Sequence, residues 1–135
     1  MYVKYKQLYG EKIGLPALVF GQGKGTSSDP ELTALLQQTQ RDKKLILALI
    51  HRLNREERCV GIIIQLPLPP EFQPYKNELL SAIIPAKDLD GLNGTLVGKN
   101  FLEMIDFLPA TPKAVISLLD YYNLGNLRGK RVAVL

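Results

Sequence analysis

Residues 60–66, VGIIIQL, constrain this chain more than any other stretch. The run is almost unbroken in apolar, β-branched residues, and PLPP at 67–70 ends it. Such a run reads as a buried parallel strand with both faces covered. Parallel strands need helical crossovers, and helical patterns lie on both sides. Residues 2–13 set Val3, Tyr5, Tyr9 and Ile13 at near-helical spacing with lysines between them, and Gly14 reads as the C-cap. Residues 15–20 read as a short strand. Ser28 to Glu31 is an S-x-x-E capping box with Pro30 in the first turn. It opens a helical pattern to about Leu53, and the polar stretch 37–44 predicts a break in it. Residues 77–84 read as a helix and IPAKDLDG (84–91) as a turn-rich loop. Thr111 reads as an N-cap with Pro112 at the first helical position, opening a helix to about Tyr122. RVAVL at 131–135 opens a strand. Strand–helix alternation predicts an α/β fold with a mostly parallel sheet.

Composition narrows the classes. A chain of 135 residues fits one domain, and 46% hydrophobic with 22% charged residues excludes a disordered or fibrous chain. A formal charge of +4 gives no ground for a nucleic-acid partner. One cysteine, Cys59, excludes a disulfide framework. With one histidine, His51, it falls short of a zinc ligand set, so no metal is expected. No apolar run is long enough to span a membrane. MYVKYKQLYGEK lacks the apolar core of a signal peptide. The expectation is a soluble cytoplasmic protein with neither a membrane nor a nucleic-acid partner.

Several residues are candidates for chemistry. Tyr2 and Lys6 are four apart on a helix and share a face; two surface residues are the plain alternative. Gln65 is the polar residue at the carboxyl end of the 60–66 run, where ligands bind in open α/β sheets; an amide bonded to neighbouring backbone is the alternative. KDLDG (87–91) brings Asp88 and Asp90 to a turn, too few oxygens for a calcium loop, and a solvated turn is its plain reading. GQGKGTSS (21–28) lies between a strand and a helix but matches no phosphate-loop fingerprint, so it reads as a flexible insertion. Cys59 reads as an inert thiol. His51 reads as a helix-face residue near a helix C-terminus, where a cation is favourable.

Together, YVKYK (2–6), LN (53–54), VGIIIQLPLP (60–69), IIPAKDLDG (83–91), VGK (97–99) and PATPKAV (109–115) occur in an order that resembles the bifunctional methylenetetrahydrofolate dehydrogenase/cyclohydrolase family. QLPLP followed by KDLDG is the most specific pair. The resemblance covers essentially the whole chain apart from about 21–40, and the chain corresponds to roughly half of the family's polypeptide. Three positions depart from the family's pattern: Ala110 stands for the cysteine of P-C-T-P, Ala114 for a glycine, and Leu96 for an asparagine.

The resemblance implies an enzyme that oxidises 5,10-methylenetetrahydrofolate with NADP and hydrolyses the methenyl product to 10-formyltetrahydrofolate. Lys6 resembles the lysine that transfers protons in the hydrolytic step, and Gln65 the glutamine that orients it. Tyr2 resembles the tyrosine packed on the folate ring system, and Asp90 the aspartate that binds the pterin amino and ring N–H groups. Thr111 is the one candidate toward NADP. The implied fold is a three-layer parallel-sheet catalytic domain over 1–108, N-terminally incomplete, followed at 109–135 by the first helix and strand of a Rossmann-like NADP-binding domain. The intact family is expected to form homodimers, and this chain alone is expected to lack dehydrogenase activity. The alternatives are a non-catalytic remnant that binds folate or pairs with another subunit and, more remotely, a phosphate-binding module built on GQGKGTSS with Lys24.

Overall fold

A computed structural model describes residues 2–17, 19, 42–104 and 107–133. The 21–28 loop with Lys24, the Ser28 capping box and the end of the RVAVL run lie outside the described residues. Helix α1 spans Tyr2–Lys12. It closes as the sequence predicts, with Gly14 at φ +75°. The Leu15 amide reaches back to the Gly10 carbonyl at 2.8 Å, and the Gly14 amide to Glu11 at 3.2 Å. This pair of bonds is the Schellman arrangement, which satisfies the last carbonyls of a helix. Residues 15–17 and 19 then run without strand pairing, contrary to the predicted strand.

Helix α2 spans Lys43–Arg55, capped by Asp42, whose carboxylate accepts from the Lys44 amide at 2.8 Å. Its start falls within the predicted break at 37–44. Helix α3 spans Lys76–Ala82, preceded by a 3₁₀ segment at Pro70–Tyr75. Helix α4 spans Gly94–Phe101, where no helix was predicted; the Asn93 side chain caps it by accepting from Thr95 N at 2.8 Å. Helix α5 spans Ala110–Tyr121. Its cap is Pro109 rather than Thr111, because its first helical bond runs from Lys113 N to the Pro109 carbonyl at 3.0 Å. Pro112 therefore sits in the first turn, where a missing N–H costs nothing.

The core gathers where α2 packs on α3 and α3 on α4. Ile50, Ile62, Leu79 and Ile83 form its centre, with Ile46, Leu47, Leu53, Ile64 and Leu68 against it. Cys59 also packs there as a half-buried free thiol. His51 is exposed on α2, one helical turn before its end.

The 60–66 run departs from the expected buried strand. Its parallel pairing among the described residues is a single bridge, Ile62 with Asp88. Ile62 is buried, whereas Val60 is 63% and Ile63 38% exposed. Ile62 and Ile64 pack into the α2–α3 core, and the Leu89 side chain lies close against Gly61, so the run is covered at its middle and open at Val60 and Ile63. The bridge still has a consequence for the site. Ile62 N donates to the Lys87 carbonyl at 2.7 Å and Leu89 N to the Ile62 carbonyl at 3.4 Å. Since the two segments run parallel, the residues that follow, Gln65 and Asp90, emerge at the same end.

Two side chains lock this frame. Asn54 Nδ2 donates to the Ala82 carbonyl at 2.7 Å and its Oδ1 accepts from Ile84 N at 3.2 Å, tying the end of α2 to the end of α3. In return, Lys87 Nζ donates to the carbonyls of Leu53 and Glu56 at 2.8 and 2.7 Å. A cation on terminal carbonyls satisfies orphan acceptors and complements the helix dipole. Lys87→Met keeps the stem and removes both bonds, so a loss of about 1.5–3 kcal/mol is expected. Urea denaturation of the two proteins measures it, and an unchanged midpoint would contradict this role.

Candidate functional site

The common end of the 62–65 and 88–90 segments opens onto a cleft of about 690 Å³. Its polar lining is Lys6, Gln65, Asp90 and Thr111. Ile64, Leu66, Leu92, Pro109 and Pro112 supply the apolar walls. Every sequence-predicted site residue whose side chain is described therefore meets in one place. Tyr2 lies on α1 one turn before Lys6.

Each polar group arrives on a different element. Lys6 is half-buried on the side of α1 that also carries Val3, Gln7 and Gly10, while Tyr5, Leu8 and Tyr9 face outward. Gln65 is exposed, and its Nε2 donates to the Leu66 carbonyl at 3.0 Å. Gln65 thus bonds neighbouring backbone and also lines the cleft. Thr111 is exposed in the first turn of α5.

Asp90 is half-buried in a turn that is far from a simple solvated loop. Its neighbour Asp88 is buried and accepts from the amides of Gly91 at 3.0 Å and Asn93 at 2.6 Å. Asn93, also buried, donates to the Ile83 carbonyl at 2.7 Å. Gly91 has φ +71°, and its α-carbon lies so close to Phe107 and Pro109 that an added Cβ would sit 2.5 Å from the Phe107 ring and 3.2 Å from Pro109. That contact seats the start of α5 beside the turn and brings Pro109 and Thr111 to the cleft. Sequence reasoning did not assign Lys87, Asn93 or Gly91 a part in building the site. The signals available were the glycine ending KDLDG and the Asn-Gly-Thr at 93–95.

Among the described residues no group of three or more His, Cys, Asp or Glu side chains is gathered as a metal site would require. No described helix is long and apolar enough to cross a membrane. Away from the cleft, the Glu56 carboxyl is held below its usual range, chiefly by the hydrogen bond from the Arg58 side chain at 3.0 Å.

A concave, largely apolar cleft with a few convergent polar groups is the form of a small-molecule site. Comparison with known proteins gives its lineage. Residues 1–90 match the catalytic domain of tetrahydrofolate dehydrogenase/cyclohydrolase, and the chain belongs to that family. The bifunctional protein FolD of Chlamydia trachomatis is 46% identical over 91 residues, 67% of this chain and 31% of that protein. The FolD protein of Staphylococcus epidermidis is 31% identical over 134 residues, 99% of this chain and 41% of that protein. The chain thus spans less than half the length of these curated relatives. A crystal structure of the bifunctional enzyme FolD, a methylenetetrahydrofolate dehydrogenase/cyclohydrolase from Campylobacter jejuni, is similar with a TM-score of 0.58 and 26% identity, over 91% of this chain and 49% of that one. The likeness places the chain with an α/β fold.

Proposed function

We propose that the cleft takes a tetrahydrofolate one-carbon derivative and hydrolyses 5,10-methenyltetrahydrofolate to 10-formyltetrahydrofolate. The observation that carries this reading is the convergence of Lys6, Gln65 and Asp90, from three separate stretches of the chain, on one cleft. In this reading water adds to the methenyl carbon while the Lys6 amine takes its proton. The bond from that carbon to N5 then breaks, N5 leaves with a proton, and one proton passes to solvent. The carbonyl end of Gln65 accepts from Lys6 and fixes its direction, since the nitrogen end is held by Leu66. The Asp90 carboxylate accepts two parallel bonds from the pterin amino and ring N–H groups. Ile64, Leu66 and Leu92 give a planar ring an apolar wall, with Tyr2 as a further packing partner.

The proposal includes a catalytic domain over 1–108 with a three-layer parallel sheet, and an NADP-binding domain beginning at 109. It also includes pairing of two chains. Oxidation of the methylene derivative needs a hydride acceptor, and NADP supplies that chemistry in the family's reaction. Among the described lining residues only Thr111 faces that role, and one exposed hydroxyl does not make a dinucleotide site.

Loss of methenyl absorbance on adding the 135-residue protein tests hydrolysis directly. Calorimetry with 5-formyltetrahydrofolate tests the binding half. Asp90→Ala is expected to weaken that ligand about 10–100-fold, the size of one to two charge-assisted hydrogen bonds at a half-buried site. Binding without turnover favours the non-catalytic remnant. No binding by the wild-type chain, or equal binding by Asp90→Ala, overturns the site assignment.

A further inference from the structure

We propose that Asp88 is a positioning residue for this cleft: its buried carboxylate shapes the turn that presents Asp90 to the ligand. The inference rests on the folate-binding reading above. Asp88 is 5% exposed and Asn93 3%. A buried carboxylate is costly unless hydrogen bonds satisfy it, and here both oxygens are used. Oδ1 accepts from Gly91 N at 3.0 Å and Oδ2 from Asn93 N at 2.6 Å. Those donors flank Leu92, and the first of them follows Asp90 directly. Asp90 and Leu92 both line the cleft, whereas Asp88, Gly91 and Asn93 are buried away from it.

The turn therefore has two sides. Its inner side is gathered on one carboxylate, and its outer side carries the two cleft residues. Each end is also fixed. Leu89 N bonds the Ile62 carbonyl at 3.4 Å, and Asn93 Nδ2 bonds the Ile83 carbonyl at 2.7 Å. Between those anchors the Asp88 carboxylate supplies the side-chain acceptors that set where residues 90–92 stand. A carboxylate can accept at both oxygens, but an asparagine presents a donor at one end, which would face an N–H. Asp88→Asn thus preserves size and breaks one of the two bonds.

The experiment combines amide hydrogen exchange of the unliganded 135-residue protein with a double-mutant cycle. The cycle reads the Kd of 5-formyltetrahydrofolate for wild type, Asp88→Asn, Asp90→Ala and the double variant. Asp88→Asn is expected to speed exchange at Gly91 or Asn93 about tenfold and to weaken Kd about tenfold. In the Asp90→Ala background the same change is expected to shift Kd by less than about twofold, because the group being positioned is gone. A merely structural role would weaken Kd by one factor in both backgrounds, and that result overturns the proposal. Unchanged exchange at both amides overturns it without reference to any ligand. Failure of the wild type to bind overturns the folate reading and this inference with it, whereas wild-type binding with an additive cycle overturns this inference alone. If Asp88→Asn does not fold, Asp88→Glu takes its place in the same cycle, keeping two acceptors on a longer arm.

Discussion

Lys6→Met is expected to lower the rate of 5,10-methenyltetrahydrofolate hydrolysis about 10²–10⁴-fold, the range that general acid–base groups contribute. The substitution is chosen so that little else changes. Methionine is similar in length to lysine and nearly as good a helix former, so α1 and its packing are retained. Lys6 is half-buried on the cleft side of that helix, and its aliphatic stem has an apolar equivalent in methionine. What disappears is a nitrogen able to take and return a proton. Lys6→Arg sharpens the point, because a guanidinium keeps the positive charge but does not give up its proton near neutrality. A charge-only role for Lys6 predicts an active arginine variant; a proton-transfer role predicts that both variants fail. Steady-state rates and calorimetric affinities, measured together, separate the cases. A fall in turnover with little change in Kd supports proton transfer. A methionine variant as active as wild type removes Lys6 from the mechanism.

How far this cleft could be read from sequence differs residue by residue. Lys6, Gln65 and Asp90 were visible because each sits in a short ordered motif whose resemblance names its role, and the structure brings all three to one cleft. The pairing that makes Gln65 and Asp90 neighbours, Ile62 with Asp88, is also foreshadowed by the parallel character of the 60–66 run. Among the described residues that run is covered only in part, because β-branched continuity reports a preference for burial and cannot say which elements supply it. Val60 and Ile63 show the difference.

Other elements were hidden for local reasons. Asn93-Gly94 carries the signature of a turn, which masks the N-cap that Asn93 makes for α4. Thr111-Pro112 matches an N-cap pattern so well that it conceals the one two residues earlier, where Pro109 begins the hydrogen bonding. Lys87 and Asp88 looked like exposed turn residues because their partners are backbone atoms. For Lys87 those atoms belong to Leu53 and Glu56, on another element, and no side-chain pattern in the sequence marks them. The supporting frame of the site is thus less legible than its chemistry.

Gly91 is where frame and chemistry meet, and Gly91→Val is expected to destabilise the protein by about 2–5 kcal/mol. Two separate costs add. Gly91 has φ +71°, a left-handed conformation that costs a residue with a Cβ about 1–2 kcal/mol and more when it is β-branched. The added atoms also meet the Phe107 ring and Pro109, and overpacking of this kind costs about 1–3 kcal/mol. Set against a total stability of about 5–15 kcal/mol for a domain, the sum is severe. The two costs can be measured apart within this chain. Gly129 has nearly the same backbone angle, φ +72°, with nothing within 4 Å of a Cβ. Gly129→Ala therefore reports the backbone cost alone, about 1 kcal/mol, and the excess loss in Gly91→Ala reports the contact with Phe107 and Pro109. Urea midpoints of the three variants give these values. Because Gly91 directly follows Asp90 and seats the start of α5, its alanine variant is also expected to weaken 5-formyltetrahydrofolate binding, which Gly129→Ala leaves unchanged. Equal losses of stability in the two alanine variants would show that the 107–109 segment yields without resistance, and that the cleft's far wall is not held by the turn at Gly91.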